Sequence, residues 1–138
     1  MARHGNQILL AEDDPDDGVL IEQILSEVCP NLSIVVFPEG EPLLGFLSKS
    51  APRLPSLIIS DLNMPRVDGK QLLKSLKTHP AFQPIPVIIL STSNDEKEIR
   101  WCYSAGANSF ITKPDLFPHW KKMLKNTCDY WLTTVQLP

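Results

Sequence analysis

Five short apolar runs alternate along the chain with longer segments in which apolar residues recur at helical spacing. The runs cover residues 8–11, 34–37, 57–60, 87–90 and 110–112. This rhythm predicts parallel strands joined by helices. Since the third and fourth runs do not alternate apolar with polar residues, their strands should be covered on both faces. The pattern predicts an α/β fold with a doubly wound, five-stranded parallel sheet.

The first and last helices have the clearest signals. The first is predicted to begin near Pro15, because proline suits the first turn of a helix. Its apolar residues then recur every fourth position. In the last helix a single apolar stripe predicts one buried face, and most of its residues should belong to the core. The stripe consists of Trp120, Leu124, Thr127 and Trp131.

Composition narrows the function classes. A chain of 138 residues suits one domain, and a net charge of -3 lacks the basic footprint of a nucleic-acid-binding protein. With no signal peptide and no run of about eighteen apolar residues, we expect a cytoplasmic protein without a membrane span. Cys29, Cys102 and Cys128 are odd in number and far apart, so reduced thiols are expected rather than a disulfide framework or a zinc site.

Polar residues follow four of the predicted strands. Ligands of a doubly wound sheet bind at the carboxyl ends of its strands, so these residues should share one site. Converging carboxylates would repel one another unless a divalent cation neutralised them, and hard oxygen ligands suit Mg²⁺. The strand ends carry Glu12-Asp13-Asp14, Ser60-Asp61, Ser91-Thr92-Ser93 and Thr112-Lys113.

Phosphoryl transfer is the chemistry that this set predicts. Lys113 can neutralise one phosphoryl oxygen and the Ser91 hydroxyl can donate to another, which leaves Asp61 as the nucleophile. Asp14, Asp16 and Asp17 have a simpler interpretation, which we favour for them, as acids at the positive end of a helix. Taken alone, Lys113 could be an ordinary surface lysine, and its place after the fifth strand and before Pro114 is what favours a role in the site.

Together these residues resemble the receiver domain of two-component response regulators. The resemblance rests on Glu12-Asp13, on Asp61 within Asp-x-x-Met-Pro-x-x-Asp-Gly, on Ser91 and on Lys113-Pro114. It covers roughly residues 6–127 and implies a flavodoxin-like (βα)5 domain, with 128–138 as an extension of the last helix and a tail. It also implies phosphorelay signalling, in which the domain accepts a phosphoryl group from the phosphohistidine of a sensor histidine kinase.

The same resemblance implies a role for each site residue. Asp61 becomes the phosphoacceptor, and Asp13, Asp61 and the Asn63 backbone carbonyl become Mg²⁺ ligands. Glu12 acts on the metal mainly through water, and Lys113 contacts the phosphoryl group. The chain would catalyse only its own phosphorylation and dephosphorylation, so it is not expected to be an enzyme in the usual sense.

The resemblance further implies a switch made of Ser91 and Phe110. Phosphorylation should draw the Ser91 hydroxyl inward, and Phe110 should turn into the space that this leaves. Phe110 stands where many relatives have Tyr, and a fixed core phenylalanine is an equal alternative. Asn63 and Ser93 flank the path of the hydrolytic water and should tune the lifetime of the phosphoryl group.

The tail, residues 128–138, has two interpretations. The first is packing on the domain's own core, and the second is a homodimer through strand five and the last helix. It is similar to the tails of single-domain regulators that are partnered with phytochrome-type histidine kinases. Since no segment remains for a second domain, output through protein contact is expected.

Two other functions remain open at this point. A phosphatase of the haloacid dehalogenase type also uses a strand-end aspartate, but it usually places a second Asp two residues on, where Asn63 stands. A pseudo-receiver would bind partners without phosphorylation, and the complete set of site residues argues against it.

Overall fold

Five parallel strands and five helices alternate in the computed structural model, which describes residues 6–50, 53–64 and 66–138. Pro65, part of the motif after Asp61, lies outside these ranges. The strands are β1 (Asn6–Ala11), β2 (Leu32–Phe37), β3 (Leu57–Ser60), β4 (Val87–Ser91) and β5 (Ser109–Thr112). The helices are α1 (Pro15–Val28), α2 (Gly40–Ser50), α3 (Gly69–Thr78), α4 (Glu96–Ser104) and α5 (Phe117–Asp129).

The strand order in the sheet is β2-β1-β3-β4-β5, and all neighbours are parallel. The chain runs from β1 outward to β2 and then returns to place β3 on the other side of β1. The order therefore reverses between β1 and β3, where an open α/β sheet usually binds its ligand. The prediction of a five-stranded parallel sheet is confirmed.

Neighbouring residues of the central strands pack into two separate cores. Leu9 and Ile58 lie in one cluster with residues of α2, α3 and α4. Leu10 and Ile59 lie in the other with residues of α1 and α5. Because both faces of the sheet are covered, β3 is buried at every position, which accounts for its three consecutive apolar residues before Ser60.

The start of α1 is fixed by its own sequence. Pro15 occupies the first turn, as predicted, and the Asp14 side chain caps the helix by accepting from the backbone N–H groups of Asp16 and Asp17. The capping role predicted for Asp14 is thus confirmed. None of the helices in the described ranges combines the length and apolar character needed to cross a membrane.

The chain changes helix type after α5. Residues Tyr130–Thr134 form a single π-helical turn, in which Trp131 and Leu132 pack against the core cluster that contains Trp120. Tyr130 keeps 51% of its surface exposed. Trp120, Leu124 and Thr127 are buried, as the stripe predicted.

The expectation of reduced, separate thiols is wrong for two of the three cysteines. A disulfide joins Cys29, which follows α1, to Cys128 near the end of α5, with Cα atoms 6.4 Å apart. The two helices pack side by side on the same face of the sheet, so residues separated by 99 positions meet. Cys102 is free and buried.

Candidate phosphoacceptor and metal site

The candidate site lies where β1 and β3 end side by side. Two hydrogen bonds extend the sheet ladder past the strands. The Glu12 N–H donates to the Phe37 carbonyl at 2.9 Å, and the Asp61 N–H donates to the Ala11 carbonyl at 2.9 Å. The backbone of both acids is thus held by the sheet, and their side chains start from fixed positions.

Glu12, Asp13 and Asp61 each place one carboxylate oxygen within 4.8 Å of the others. Glu12 and Asp61 are 4% and 8% exposed, whereas Asp13 faces solvent. The predicted convergence of these acids is confirmed. Three hard oxygen donors with an open solvent side fit Mg²⁺, which keeps several of its waters.

The pKa values of Glu12 and Asp13 are both raised in the folded chain. Burial, together with the hydrogen bond and charge of Asp61, raises the pKa of Glu12 from its ordinary value of 4.5 to about 7 against the lowering effect of Lys113. Burial and a hydrogen bond with Asp61 also raise the pKa of Asp13. A divalent cation would offset both the cost of burying these charges and their repulsion by Asp61, so the electrostatics of the cluster agree with its donor set.

Lys113 is buried among these carboxylates, with 7% of its side chain exposed. Its Nζ lies 2.7 Å from Asp17 Oδ2, 2.9 Å from Glu12 Oε1 and 3.6 Å from Asp61 Oδ2. Burial by itself lowers the pKa of Lys113, but the hydrogen bonds to Asp17 and Glu12 outweigh it and raise the pKa above its usual value. The surface-lysine alternative is therefore wrong.

The two carboxylate oxygens of Asp61 have different surroundings. Oδ1 accepts a hydrogen bond from the Leu62 N–H at 2.7 Å, while Oδ2 faces Lys113. The start of α3 holds this segment from behind, because the Gly69 N–H donates to the Leu62 carbonyl at 2.9 Å. One oxygen is thus fixed by the backbone, and the other faces the groups that would meet a phosphoryl oxygen.

Ser91 and Lys113 are tied together through the backbone. The Lys113 N–H donates to the Ser91 carbonyl at 2.7 Å, and the buried Ser91 Oγ accepts from the Ser93 N–H at 3.2 Å. Phe110 is half-buried against the core cluster of α2, α3 and α4. Its N–H donates to the Tyr103 hydroxyl at 3.0 Å.

The two residues expected to tune phosphoryl lifetime lie on loops that follow β3 and β4. Asn63 is exposed two residues after Asp61. Ser93 is half-buried, and its Oγ accepts from the Asp95 N–H at 3.2 Å. Both loops leave the same edge of the sheet, which is the placement that their predicted role requires.

Asp17 is the site residue that sequence reasoning missed. We assigned it to helix capping, yet its carboxylate is the nearest partner of the Lys113 ammonium. Its position could have indicated this role from the sequence, because Asp17 lies in the first turn of α1, three residues after the cap Asp14. Helical side chains point toward the N-terminus of their helix, which here directs this carboxylate back to the ends of the strands.

The fold and the site together identify the class of protein. It has an open parallel sheet, and where the strand order reverses it carries a cluster of acids paired with a lysine. A family model described as the response regulator receiver domain matches residues 8–125, and the chain belongs to this family. It is thus the receiver domain of a two-component response regulator, as the sequence resemblance implied.

Several individual members of this family are similar to the chain over most of its length. The response regulator Rcp1 of Synechocystis is 32% identical over 95% of this chain and 92% of that protein. A crystal structure of the phosphorylated cyanobacterial phytochrome response regulator RcpA superposes with a TM-score of 0.90 at 32% identity, covering 98% of this chain and 99% of that one. The Mn²⁺-bound form of Rcp1 gives a TM-score of 0.87 at 32% identity, covering 96% and 99%.

Proposed function

We propose that Asp61 is the phosphoacceptor of this receiver domain. The observation that carries the proposal is the convergence of charged groups at Asp61. One of its carboxylate oxygens lies within 4.8 Å of oxygens of Glu12 and Asp13, and its Oδ2 lies 3.6 Å from the Lys113 ammonium. In the reaction, a carboxylate oxygen of Asp61 attacks the phosphorus of a phosphohistidine on a sensor kinase. The P–N bond breaks, the imidazole leaves with the bonding electrons and gains a proton from water, and an acyl-phosphate remains.

We assign the other roles as the sequence predicted them. Asp13, Asp61 and the Asn63 carbonyl would hold Mg²⁺, with Glu12 acting through water, and the Mn²⁺-bound relative supports a divalent metal here. The metal would neutralise charge on the phosphoryl oxygens. Lys113 would contact a phosphoryl oxygen and Ser91 would donate to another. The chain then catalyses only its own phosphorylation and hydrolysis.

Incubation with phosphoramidate and Mg²⁺, followed by intact mass spectrometry, tests the proposal. We expect one added phosphoryl group, which is lost in hydroxylamine and which borohydride reduction maps to Asp61. The absence of any addition would favour a pseudo-receiver. Continuous release of phosphate from added phosphomonoesters would favour the phosphatase.

Ser91 and Phe110 are proposed as the switch. The Lys113 N–H bond to the Ser91 carbonyl links the end of β4 to the lysine, so a change at the phosphoryl group has a short path to β5. The phosphoryl oxygens would draw the Ser91 hydroxyl away from the Ser93 N–H that it now accepts from. Phosphorylation would then bias two existing states of the chain around Phe110.

Asn63→Asp is expected to shorten the phosphoryl lifetime by about tenfold, because a carboxylate beside the hydrolytic water can act as a general base where an amide cannot. The rate of phosphate release from the purified phosphoprotein measures this. Asn94→Asp is a matched control, since it makes the same exchange at an exposed residue on the loop after β4. A longer lifetime in Asn63→Asp would contradict the assignment.

We propose a phytochrome-type histidine kinase as the partner, because the similar protein RcpA is a cyanobacterial phytochrome response regulator. The surface near the acceptor suits a protein partner. The contact between Lys113 and Asp17 brings together the start of α1 and the segment after β5. Val19, Leu116 and Phe117 on these segments are 55%, 58% and 56% exposed. The cytoplasmic location predicted from the sequence stays a prediction.

We also propose a homodimer through β5 and α5, with residues 6–127 as the receiver unit and 128–138 as the tail. A groove of about 370 Å³ runs along this face and is lined by Ile111 of the edge strand and Met123 of α5. Ile111→Lys should lower the sedimenting mass from dimer to monomer. Val36→Lys on the opposite edge strand is the control, and equal masses for both variants would contradict the interface.

A further inference from the structure

Lys113 is shared unequally among three carboxylates. Its distances of 2.7 Å to Asp17 and 2.9 Å to Glu12 are those of charge-assisted hydrogen bonds, whereas 3.6 Å to Asp61 is beyond hydrogen-bonding range. The ammonium is therefore bound by two acids that are not the acceptor. It stands next to the acceptor without being hydrogen-bonded to it.

We propose that Asp17 is a positioning residue that holds the Lys113 ammonium off Asp61 until a phosphoryl group arrives. The inference rests on the proposed function of Asp61. A direct hydrogen bond from the Lys113 ammonium would tie up the attacking oxygen of Asp61 and reduce its nucleophilicity. When a phosphoryl group occupies the site, its added anionic oxygens compete with Asp17 for the ammonium, and Lys113 moves to them.

The place of Asp17 in the chain makes it suitable for this task. It lies in the first turn of α1, where its N–H donates to the cap Asp14 at 3.4 Å and the positive end of the helix favours its negative charge. About a quarter of its side chain, 26%, remains exposed, compared with 1% for Glu12. Solvent can therefore replace Lys113 at Asp17 at little cost, whereas Glu12 has no such access. Of these two partners, Asp17 is the one that can release the lysine.

Asp17→Asn tests the proposal, and Asp16→Asn is its matched control. Both variants remove one negative charge from the first turn of α1, but Asp16 is exposed and its carboxylate is not among the acids that contact Lys113. In Asp17→Asn we expect phosphorylation by phosphoramidate at saturating Mg²⁺ to be about tenfold slower, because Lys113 loses its partner Asp17, moves onto Asp61 and occupies the attacking oxygen. Asp16→Asn should match the parent protein, and Asp17→Glu should restore part of the rate.

A second readout uses no phosphodonor. In protein with ¹³C-labelled lysine, the Cε signal of Lys113, assigned through Lys113→Met, should shift in Asp17→Asn and stay in place in Asp16→Asn. A purely structural role for Asp17 would lower the thermal midpoint without this pattern of rates. Equal rates and equal Lys113 signals in the two variants would overturn the proposal. If the parent protein takes no phosphoryl group, the function proposed for Asp61 fails, while the Lys113 signal still decides whether Asp17 holds the ammonium.

Discussion

Replacing Asp61 with Asn is expected to abolish phosphorylation by phosphoramidate and Mg²⁺. The amide has no anionic oxygen to attack phosphorus, and Glu12 is fixed against Lys113 at 2.9 Å and cannot substitute for it. Intact mass spectrometry should show no adduct in Asp61→Asn. Asp115→Asn, an exposed acid that follows the same strand as Lys113, should be phosphorylated like the parent protein. A surviving adduct in Asp61→Asn would place the acceptor elsewhere.

The same variant is expected to remain folded, which separates loss of chemistry from loss of structure. The pKa of Glu12 is raised from 4.5 to about 7 in the folded chain, so the stability present below pH 4.5 is partly lost as the pH rises to about 7. The charge of Asp61 contributes to the raised pKa of Glu12, so Asp61→Asn should make the free energy of unfolding less dependent on pH. Urea unfolding of both proteins at pH 5 and pH 8 measures this difference. If the free energy of unfolding fell more between these pH values in the variant than in the parent protein, the electrostatic explanation would be wrong.

The amide signals of residues 91–113 give a third comparison between the two proteins. In the parent protein they should shift on phosphorylation, because the backbone bond from Lys113 to Ser91 transmits the rearrangement. In Asp61→Asn they should not respond to the phosphodonor. An unchanged spectrum in the phosphorylated parent would remove the switch assigned to Ser91 and Phe110.

The fold and the centre of the site could be predicted because each rests on a strong local signal. A strand covered on both faces has no solvent-facing positions, so β3 and β4 are visible as the apolar runs 57–59 and 87–90, each followed by a buried serine. The residues that follow such strands share one edge of the sheet, whatever the loops between them do. This rule alone predicts that Glu12, Asp13 and Asp61 lie close together, as they do in the structure.

The contacts that were missed depend on packing between elements far apart in the chain. The pairing of Cys29 with Cys128 requires α1 and α5 to lie side by side with a particular register, and neither residue carries a sign of its partner. Asp17 has two compatible roles, as a helix-end acid and as a lysine partner. Only the direction of its side chain shows that it also takes the second role.

Gly69→Ala is expected to destabilise the domain by about 3 kcal/mol, because overpacking a rigid contact costs this much where nothing can move aside. A Cβ at this position would collide with the Asp61 carbonyl oxygen and lie 2.6 Å from the Leu62 Cα. Both are backbone atoms, held by the sheet bond of Asp61 and by the Gly69–Leu62 hydrogen bond. The free energy of unfolding in urea measures the loss.

Gly45→Ala is the matched control, since it makes the same exchange inside α2 where a Cβ meets nothing within 4 Å. It should stabilise the domain by about 0.5 kcal/mol through the helix preference of alanine. The two substitutions should change the free energy of unfolding in opposite directions, because only Gly69 packs against the backbone of the acceptor segment. The collision pushes the backbone of Asp61 and Leu62, so phosphorylation of Gly69→Ala should be slowed even at temperatures where the variant is folded. A Gly69→Ala protein as stable and as quickly phosphorylated as the parent would show that the start of α3 does not fix the acceptor.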